Sequence, residues 1–447
     1  MNASPRINWF SPLPPTRSEI ARQTLTLLPE LSARAEVIVW SNDSIYDEAA
    51  AAHATIKRYD PAHPPWREIN RAEVTFYQMG NDPHYHEDIW RVSRQHPGVV
   101  ILHDLKLQHF FAGLLTETKT LTRREYLELV EVHHSTAGVD LAESFLDAQI
   151  GIEALAEECP LMGAVVDGSL ATIVHSEEAR ELISRSASVP TAYLRLPAGG
   201  PGPPDESFLG KRNWDGGLYR LVLFGFLGPN RRLPAILKAL SLFPKRDRFH
   251  LDIYGTMDGA EQIVQLACCF GLQELVTWHG FVSDAELEFA LQRSHLALNL
   301  RHPTMGEASG SQLHAWQYAL PSLVSPTGWY SALPHDTVGF VRPEHETEDI
   351  QAHLAGLLEA PERYRAMGLK ARQFVGEHCT TGAYADGIME LVARLPEFQA
   401  IRIAHNLADR AGSSMSAWAE PDGLSGGAAH AIHALVSGYF RPPHARP

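Results

Sequence analysis

The sequence has few cysteines, no excess of basic side chains and no long apolar run. Four of its 447 residues are cysteine and none forms Cys-x-x-Cys, so we expect reduced thiols and no disulfide framework. The net charge of −15 argues against a nucleic-acid partner, because phosphate binding needs a basic surface. No run approaches the ~20 apolar residues of a membrane span, and Met1–Phe10 is unlike a secretory signal. We therefore expect a cytoplasmic protein without a transmembrane segment.

Three motifs that would indicate a bound metal or dinucleotide are also missing. The sequence contains no His-Glu-x-x-His, no Gly-x-Gly-x-x-Gly and no Asp-x-Asp. His84, His86, Asp88 and His103 could be grouped as metal ligands, but nothing in their spacing requires it. A diphosphate normally held through a divalent ion needs oxygen ligands such as an Asp-x-Asp pair. We therefore expect no metal, and any diphosphate must be neutralised by arginines and helix termini.

Short apolar segments alternate with helical patterns along most of the chain. This alternation predicts two α/β domains, each with a doubly wound parallel sheet of the Rossmann type. Residues 1–197 form the first predicted domain and 218–383 the second, separated by a linker at 198–217 that is rich in Pro and Gly. Residues 384–447 are expected to form C-terminal helices and a tail. The predicted strands are Arg6–Phe10, Glu36–Trp40, Val74–Met79, Val99–His103, Leu170–His175, Thr191–Leu196, Tyr219–Gly225, Phe249–Gly255, Val276–His279, His295–Leu300 and Pro321–Ser325.

The richest candidate segment runs from the end of one predicted strand to the start of a helix, Asn299–Ser311. Ser309, Gly310 and Ser311 supply small side chains and backbone N–H groups at a helix N-terminus, which suits a phosphate. Glu307 precedes them and could bind sugar hydroxyls. The alternative is an ordinary helix cap with a solvated loop acid.

A second segment, Phe224–Leu233, also joins a strand to a helix. Gly225 and Gly228 permit close backbone approach, and Arg231 and Arg232 stand at the helix start. Cations there oppose the helix dipole unless an anion lies nearby, and the guanidinium fork matches phosphate oxygens. This segment therefore predicts a second part of an anion site, the alternative being a turn with two exposed arginines.

In the first half, polar residues follow two predicted strands. His103 and Asp104 end one strand, while Asn81 and His86 follow another. Because ligands of such folds bind at the carboxyl ends of the strands, these side chains are expected to face a cleft between the domains.

Taken in order, these segments resemble the GT-B glycosyltransferases, specifically the large retaining family 4 group. The stretch Trp9–Ala21 is similar to the "PlPPxxSGIA" segment of bacterial members, and Pro97–Asp104 is similar to their "PGVVVLHD". Gly80–His86 resembles "GN…H", and Phe224–Leu233 and Arg301–Gly310 resemble two donor loops. The resemblance covers about residues 6–380, and it implies that the helices and tail of residues 384–447 cross back to the first domain.

The resemblance implies a sugar nucleotide in the second domain and an acceptor in the first. It implies that His103 touches the donor sugar, that Glu307 contacts its hydroxyls and that Arg231 and Ser309–Ser311 bind the diphosphate. Transfer would retain the anomeric configuration, with the leaving diphosphate accepting the proton of the acceptor. The expected acceptor is a glycan, lipid-linked or protein group. The residues expected to face the acceptor or the cleft are Ser18, Glu19, Asn81, His86, Asp104 and Arg301.

Three positions depart from the resembled pattern. Ala315 stands where the second acid of Glu-x7-Glu would hold the ribose, Phe226 replaces an arginine, and Glu19 replaces the glycine of "SGIA". Two alternatives stay open beside a retaining glycosyltransferase, and the three departures favour the first of them. One is a catalytically silent GT-B subunit that binds a partner or a glycan, and the other is a GT-B sugar-nucleotide epimerase.

Overall fold

A computed structural model describes residues 4–187, 189–200, 205–257 and 260–418, with the side chains of 409 and 411–418 excepted. Residues 201–204 of the predicted linker and the predicted tail after Trp418 lie outside these ranges.

The first sheet has seven parallel strands in the order β3-β2-β1-β4-β5-β6-β7. Several strands are buried along most of their length because helices cover both faces, which explains why they are apolar throughout rather than alternating. Its strands are β1 (Arg6–Phe10), β2 (Glu36–Trp40), β3 (Thr55–Lys57), β4 (Val74–Met79), β5 (Val99–Leu102), β6 (Ala171–Val174) and β7 (Thr191–Tyr193).

Nine helices accompany this sheet within the described residues. They are α1 (Glu19–Ser32), α2 (Glu48–Ala51), α3 (Trp66–Ile69), α4 (Pro83–Gln95), α5 (Gln108–Thr116), α6 (Arg123–Leu146), α7 (Ile152–Glu158), α8 (Gly163–Val166) and α9 (Glu177–Ser186).

The second sheet has six parallel strands in the order β10-β9-β8-β11-β12-β13. They are β8 (Tyr219–Phe224), β9 (Phe249–Tyr254), β10 (Val276–Gly280), β11 (Leu296–Leu298), β12 (Ser322–Val324) and β13 (Gly339–Phe340). The helices that follow in the chain are α10 (Leu233–Leu242), α11 (Ala260–Cys269), α12 (Asp284–Arg293), α13 (Gly310–Gln317), α14 (Glu346–Glu359), α15 (Pro361–His378), α16 (Thr381–Ala393) and α17 (Leu395–Trp418).

Both sheets reverse their strand order beside their first strand, between β1 and β4 and between β8 and β11. A crevice opens at the carboxyl ends of the strands at such a switch point. The expectation of two Rossmann-like sheets is thus confirmed. The strand order places the crevices at Ser11 and Gly80 in the first domain and at Gly225 and Asn299 in the second.

The C-terminal helices pack on the first domain. Tyr384, Ile388 and Leu391 of α16 share one buried apolar cluster with Trp9 of β1 and Leu27 of α1. Arg34, just after α1, also pairs with Asp386 of α16. The chain therefore returns across the molecule after completing the second domain.

Candidate functional site

The two domains touch where the loop after β5 meets the loop after β11. Backbone N–H groups of Leu105 and Lys106 both donate to the carbonyl oxygen of Met305, at 2.9 and 3.0 Å. Gly306 follows, with a φ of +80°, and a β-carbon there would overlap the side chain of Leu105. This contact brings the His103–Asp104 strand end to the loop that carries Glu307.

Arg231 is a buried cation with uncharged partners. It ends the turn Pro229–Arg231 after β8 and is 2% exposed. Its guanidinium donates to the side-chain oxygen of Asn299 and, at 2.9 Å, to the carbonyl of Phe224. Among the described residues no carboxylate forms an ion pair with Arg231, and its Nε has no hydrogen-bond partner. Burial, assisted by the nearby charge of Arg301, lowers the pKa of Arg231 to about 9.

Arg232 is not brought to the same place. Its backbone is left-handed, with a φ of 57°, and its guanidinium makes two bonds to Glu346 at the start of α14. The neighbouring Gly225 has a φ of +105°, which an L side chain rarely adopts, whereas Gly228 has an ordinary φ of −75°. The structure therefore separates the two adjacent arginines and leaves only Arg231 facing Asn299.

The N-terminus of α13 is ordered by a buried amide. Ser309 caps the helix by accepting the Gln312 N–H at 3.1 Å, and its hydroxyl lies 3.0 Å from that of Ser311. Asn299 donates to Gln312 at 2.7 Å and accepts from Arg231, so it joins the helix start to the buried cation. Asn299 is not among the predicted site residues, although a polar residue directly after the apolar strand β11 was an available signal.

Glu307 is buried and held within its own loop. Its carboxylate pairs with Arg301 and accepts from Thr304 Oγ1 at 3.1 Å and from the Met305 N–H at 2.7 Å. Burial would lower the pKa of Arg301, but the phenol of Tyr330 and the carboxylates of Glu307 and Asp104 raise it. The acid is thus fixed in orientation and charge-balanced by Arg301.

A cluster of neutral histidines lines the first domain's side. The Nε2 of His103 bonds the side-chain oxygen of Gln78, and the His103 and His175 rings lie 4.9 Å apart. His86 bonds the Gln78 carbonyl at 3.0 Å. Burial lowers the pKa of His103 well below its ordinary value and lowers those of His86 and His175 to about 4. Gln78 and His175 were missed because neither belongs to a recognisable motif.

Asp104 stands between this cluster and Glu307. It accepts the Asn81 N–H at 3.0 Å, while the Asn81 side chain accepts from the Phe110 N–H and so fixes the start of α5. Burial, with the nearby charge of Glu307, raises the pKa of Asp104 to about 7. Asp104 can therefore exchange a proton near neutral pH.

Ser18 and Glu19 lie at the start of α1, facing α13. Ser18 occupies the capping position without a side-chain cap bond. The Glu19 carboxylate lies against Gly310, where a β-carbon would overlap it. It also makes three bonds to Arg22, at 2.8, 3.0 and 3.1 Å. Glu19 thus reaches across the cleft to the predicted phosphate site.

The side chains once considered as metal ligands have other partners. His84 bonds Asp82 and Asp88 accepts from Asn42. In the part of the chain that the structure describes, no group of three His, Cys, Asp or Glu side chains could hold a metal ion. Nor does any helix in that part have the length and apolarity needed to cross a membrane.

One family model matches part of the chain, mainly its second domain. Residues 205–374 match the family model of glycosyl transferases group 1. A search of curated protein sequences found no match.

Solved structures with a similar fold cover 85–88% of this chain. HepE of Anabaena in complex with UDP and glucose has a TM-score of 0.59 and 12% identity, covering 87% of this chain and 99% of that one. Sucrose-phosphate synthase of Thermosynechococcus elongatus has a TM-score of 0.59 and 13% identity, covering 88% and 99%. WaaG, a glycosyltransferase involved in lipopolysaccharide biosynthesis, has a TM-score of 0.55 and 13% identity, covering 85% and 98%. The expected GT-B fold is confirmed.

Proposed function

We propose that this protein is a retaining glycosyltransferase that moves a sugar from a nucleoside diphosphate sugar to a glycan or glycoconjugate acceptor without a metal ion. The observation that carries the proposal is the buried guanidinium of Arg231 beside the capped N-terminus of α13. No carboxylate among the described residues forms an ion pair with this guanidinium. A buried charge is retained at a cost to stability, and a ligand of opposite charge explains its retention. A diphosphate fits both the guanidinium and the free N–H groups of the helix.

The polar groups nearest the domain contact suit a bound sugar. Because the Nε2 of His103 bonds the Gln78 oxygen, that nitrogen carries the proton and Nδ1 remains an acceptor for a sugar hydroxyl. The carboxylate of Glu307 is oriented by Arg301 and can accept further hydroxyl donors. These two side chains belong to different domains, so a sugar that contacts both must lie in the cleft.

The mechanism needs no protein nucleophile. As the bond from sugar to phosphate breaks, negative charge grows on the leaving diphosphate, and Arg231 with the N-terminus of α13 stabilises that charge. The diphosphate oxygen then accepts the proton of the attacking acceptor hydroxyl on the same face. No carboxylate is required to form a covalent intermediate, and Glu307 acts by orienting the sugar.

A cavity of about 250 Å³ in the first domain suits the acceptor. It opens at the carboxyl ends of β1 and β2 and at the start of α4. Its walls combine aromatic rings with carboxylates, namely Trp40, Tyr59, Tyr85, Asp43 and Asp88. Aromatic faces and carboxylate acceptors are the groups that bind sugar rings and their hydroxyls, and this volume is below the ~300–1,000 Å³ of drug-sized sites.

A catalytically silent subunit is the second candidate, favoured by two observations. The Glu19 carboxylate already lies on Gly310, and Ala315 is buried in an apolar cluster where the resembled family has its second acid. Both reduce the positive or polar groups available to a nucleotide. In that case the chain would bind no donor, and its partner would be recognised elsewhere.

Two measurements test the proposed enzyme. Transfer from UDP-, GDP-, dTDP- and ADP-sugars is followed with and without EDTA, and we expect one donor to react equally in both conditions. Glu307→Gln should abolish that transfer, whereas Glu362→Gln on the exposed side of α15 should leave it unchanged. Activity that disappears with EDTA would refute metal independence, and full activity in Glu307→Gln would refute its role.

A further inference from the structure

Two helix N-termini from different domains converge on one carboxylate. Glu19 is the first residue of α1, and Gly310 is the first residue of α13. The side chain of Glu19 lies so close to Gly310 that any β-carbon there would overlap it. Each helix N-terminus carries roughly half a positive charge, so two such ends facing each other need an anion between them. Glu19 supplies that anion.

Glu19 is held by contacts that a phosphate could reproduce. Both of its oxygens accept from the guanidinium of Arg22, and one lies 3.4 Å from the side-chain nitrogen of Gln23. Arg–carboxylate and Arg–phosphate pairs share the same bidentate geometry. A phosphate that takes the place of the carboxylate would therefore meet Arg22 as well as the N–H groups of α13.

The surroundings make this carboxylate removable. Its side chain is 41% exposed, in contrast to the buried Glu307. Burial alone would lower the pKa of Arg22, but the negative charges of Glu19, Asp284 and Glu288 outweigh it and raise the pKa. Arg22 thus has acidic neighbours on α12 as well as Glu19, so it stays charge-balanced when Glu19 swings outward.

Resting on the proposed function, we propose that Glu19 is a displaceable substitute for the donor phosphates and that Arg22 is a phosphate ligand released when Glu19 leaves. In the protein without a donor, the carboxylate neutralises the N-termini of α1 and α13 and stabilises the cleft between them. Donor binding displaces it, so the intrinsic affinity of the site is reduced by this internal competition. The glycine of the resembled pattern would impose no such competition, and Glu19 therefore sets how much donor is needed to fill the site.

The test measures nucleotide affinity by calorimetry with UDP, GDP, dTDP and ADP as probes. Glu19→Gln removes the charge and Glu19→Ala removes the side chain. Both should bind the preferred nucleotide about tenfold more tightly than the unaltered protein, which corresponds to about 1.4 kcal/mol. Arg22→Gln should bind it more weakly. Glu30→Gln is the matched control, because Glu30 lies on the same helix, is also 41% exposed and forms an ion pair with an arginine, Arg34.

The outcomes separate this inference from the proposed function. Equal affinity in the unaltered protein and both Glu19 variants would overturn the displacement while leaving donor binding intact, as would weaker binding in those variants. Binding seen only in the Glu19 variants would support the occupancy of the phosphate site by Glu19 but refute an active donor site in the natural chain. An absence of binding in every variant would overturn both.

Discussion

Replacing Arg231 with methionine should weaken nucleotide binding roughly 10- to 100-fold without unfolding the protein. The side chain is 2% exposed and burial lowers the pKa of its guanidinium to about 9. Folding disfavours the charged form of Arg231, so burying this charge lowers the free energy of unfolding at every pH below about 9. The fall of the pKa from the ordinary value of a guanidinium to about 9 corresponds to roughly 5 kcal/mol.

Methionine keeps the length of the side chain and removes this cost, but it leaves the oxygens of Asn299 and Phe224 without their donor. Each lost partner costs about 1–3 kcal/mol. The net change therefore lies between about 3 kcal/mol of added stability and about 1 kcal/mol of lost stability. Loss of a charged hydrogen bond to the diphosphate costs about 1.5–3 kcal/mol, a drop of roughly 10- to 100-fold in affinity.

Arg212→Met is the control, because Arg212 is also buried and burial lowers its pKa to about 9 as well. Its guanidinium donates to three backbone carbonyls, those of Ala319, Leu291 and Tyr318. Arg212→Met should therefore be less stable than Arg231→Met but should keep the nucleotide-induced rise in melting temperature. The reasoning is refuted if Arg231→Met loses more than about 3 kcal/mol in urea unfolding, or if it binds nucleotide normally.

Two further predictions concern the contact between the domains. Because the pKa of Asp104 is raised to about 7, its contribution to stability is present below its ordinary pKa and is lost as pH rises through 7. Asp104→Asn should therefore remove this pH dependence of the free energy of unfolding, which urea unfolding at pH 5 and pH 8 measures. The same pH dependence in the variant and in the unaltered protein would count against the assignment. Gly306→Ala should cost about 1–3 kcal/mol of stability and weaken nucleotide binding, because its β-carbon would overlap Leu105. The control is Gly376→Ala in α15, which should not destabilise the protein because nothing lies within 4 Å of the added β-carbon. An unchanged melting temperature and unchanged nucleotide affinity in Gly306→Ala would contradict the close approach.

The sheets were largely predictable because burial on both faces leaves long apolar segments in the sequence. All eleven predicted strands are present, with ends that differ by at most three residues. The two missed strands, Thr55–Lys57 and Gly339–Phe340, lie at sheet edges and span three and two residues. Such short edge segments carry too little apolar pattern to be distinguished from loops.

The candidate site was less predictable, because the direction in which a side chain points decides whether it belongs to the site. The rule that ligands bind at strand ends predicts His103, Asp104 and Glu307 as candidates, but it could not separate Arg231 from Arg232. One left-handed residue, Arg232, decides which guanidinium is buried. Asn299 and Gln78 were missed because an amide acquires its role only from partners distant in sequence.

The carbonyl of Met305, which accepts from two successive N–H groups of the other domain, has a mechanical consequence. Any hinge motion that parts the domains must break both bonds at once, and the same motion withdraws His103 and Asp104 from the loop of Glu307. Opening of the cleft therefore also separates the two halves of the proposed sugar site, so water that enters an open cleft meets them apart. A pair of distance probes, one on each domain, would measure the fraction of molecules in which the two domains are in contact.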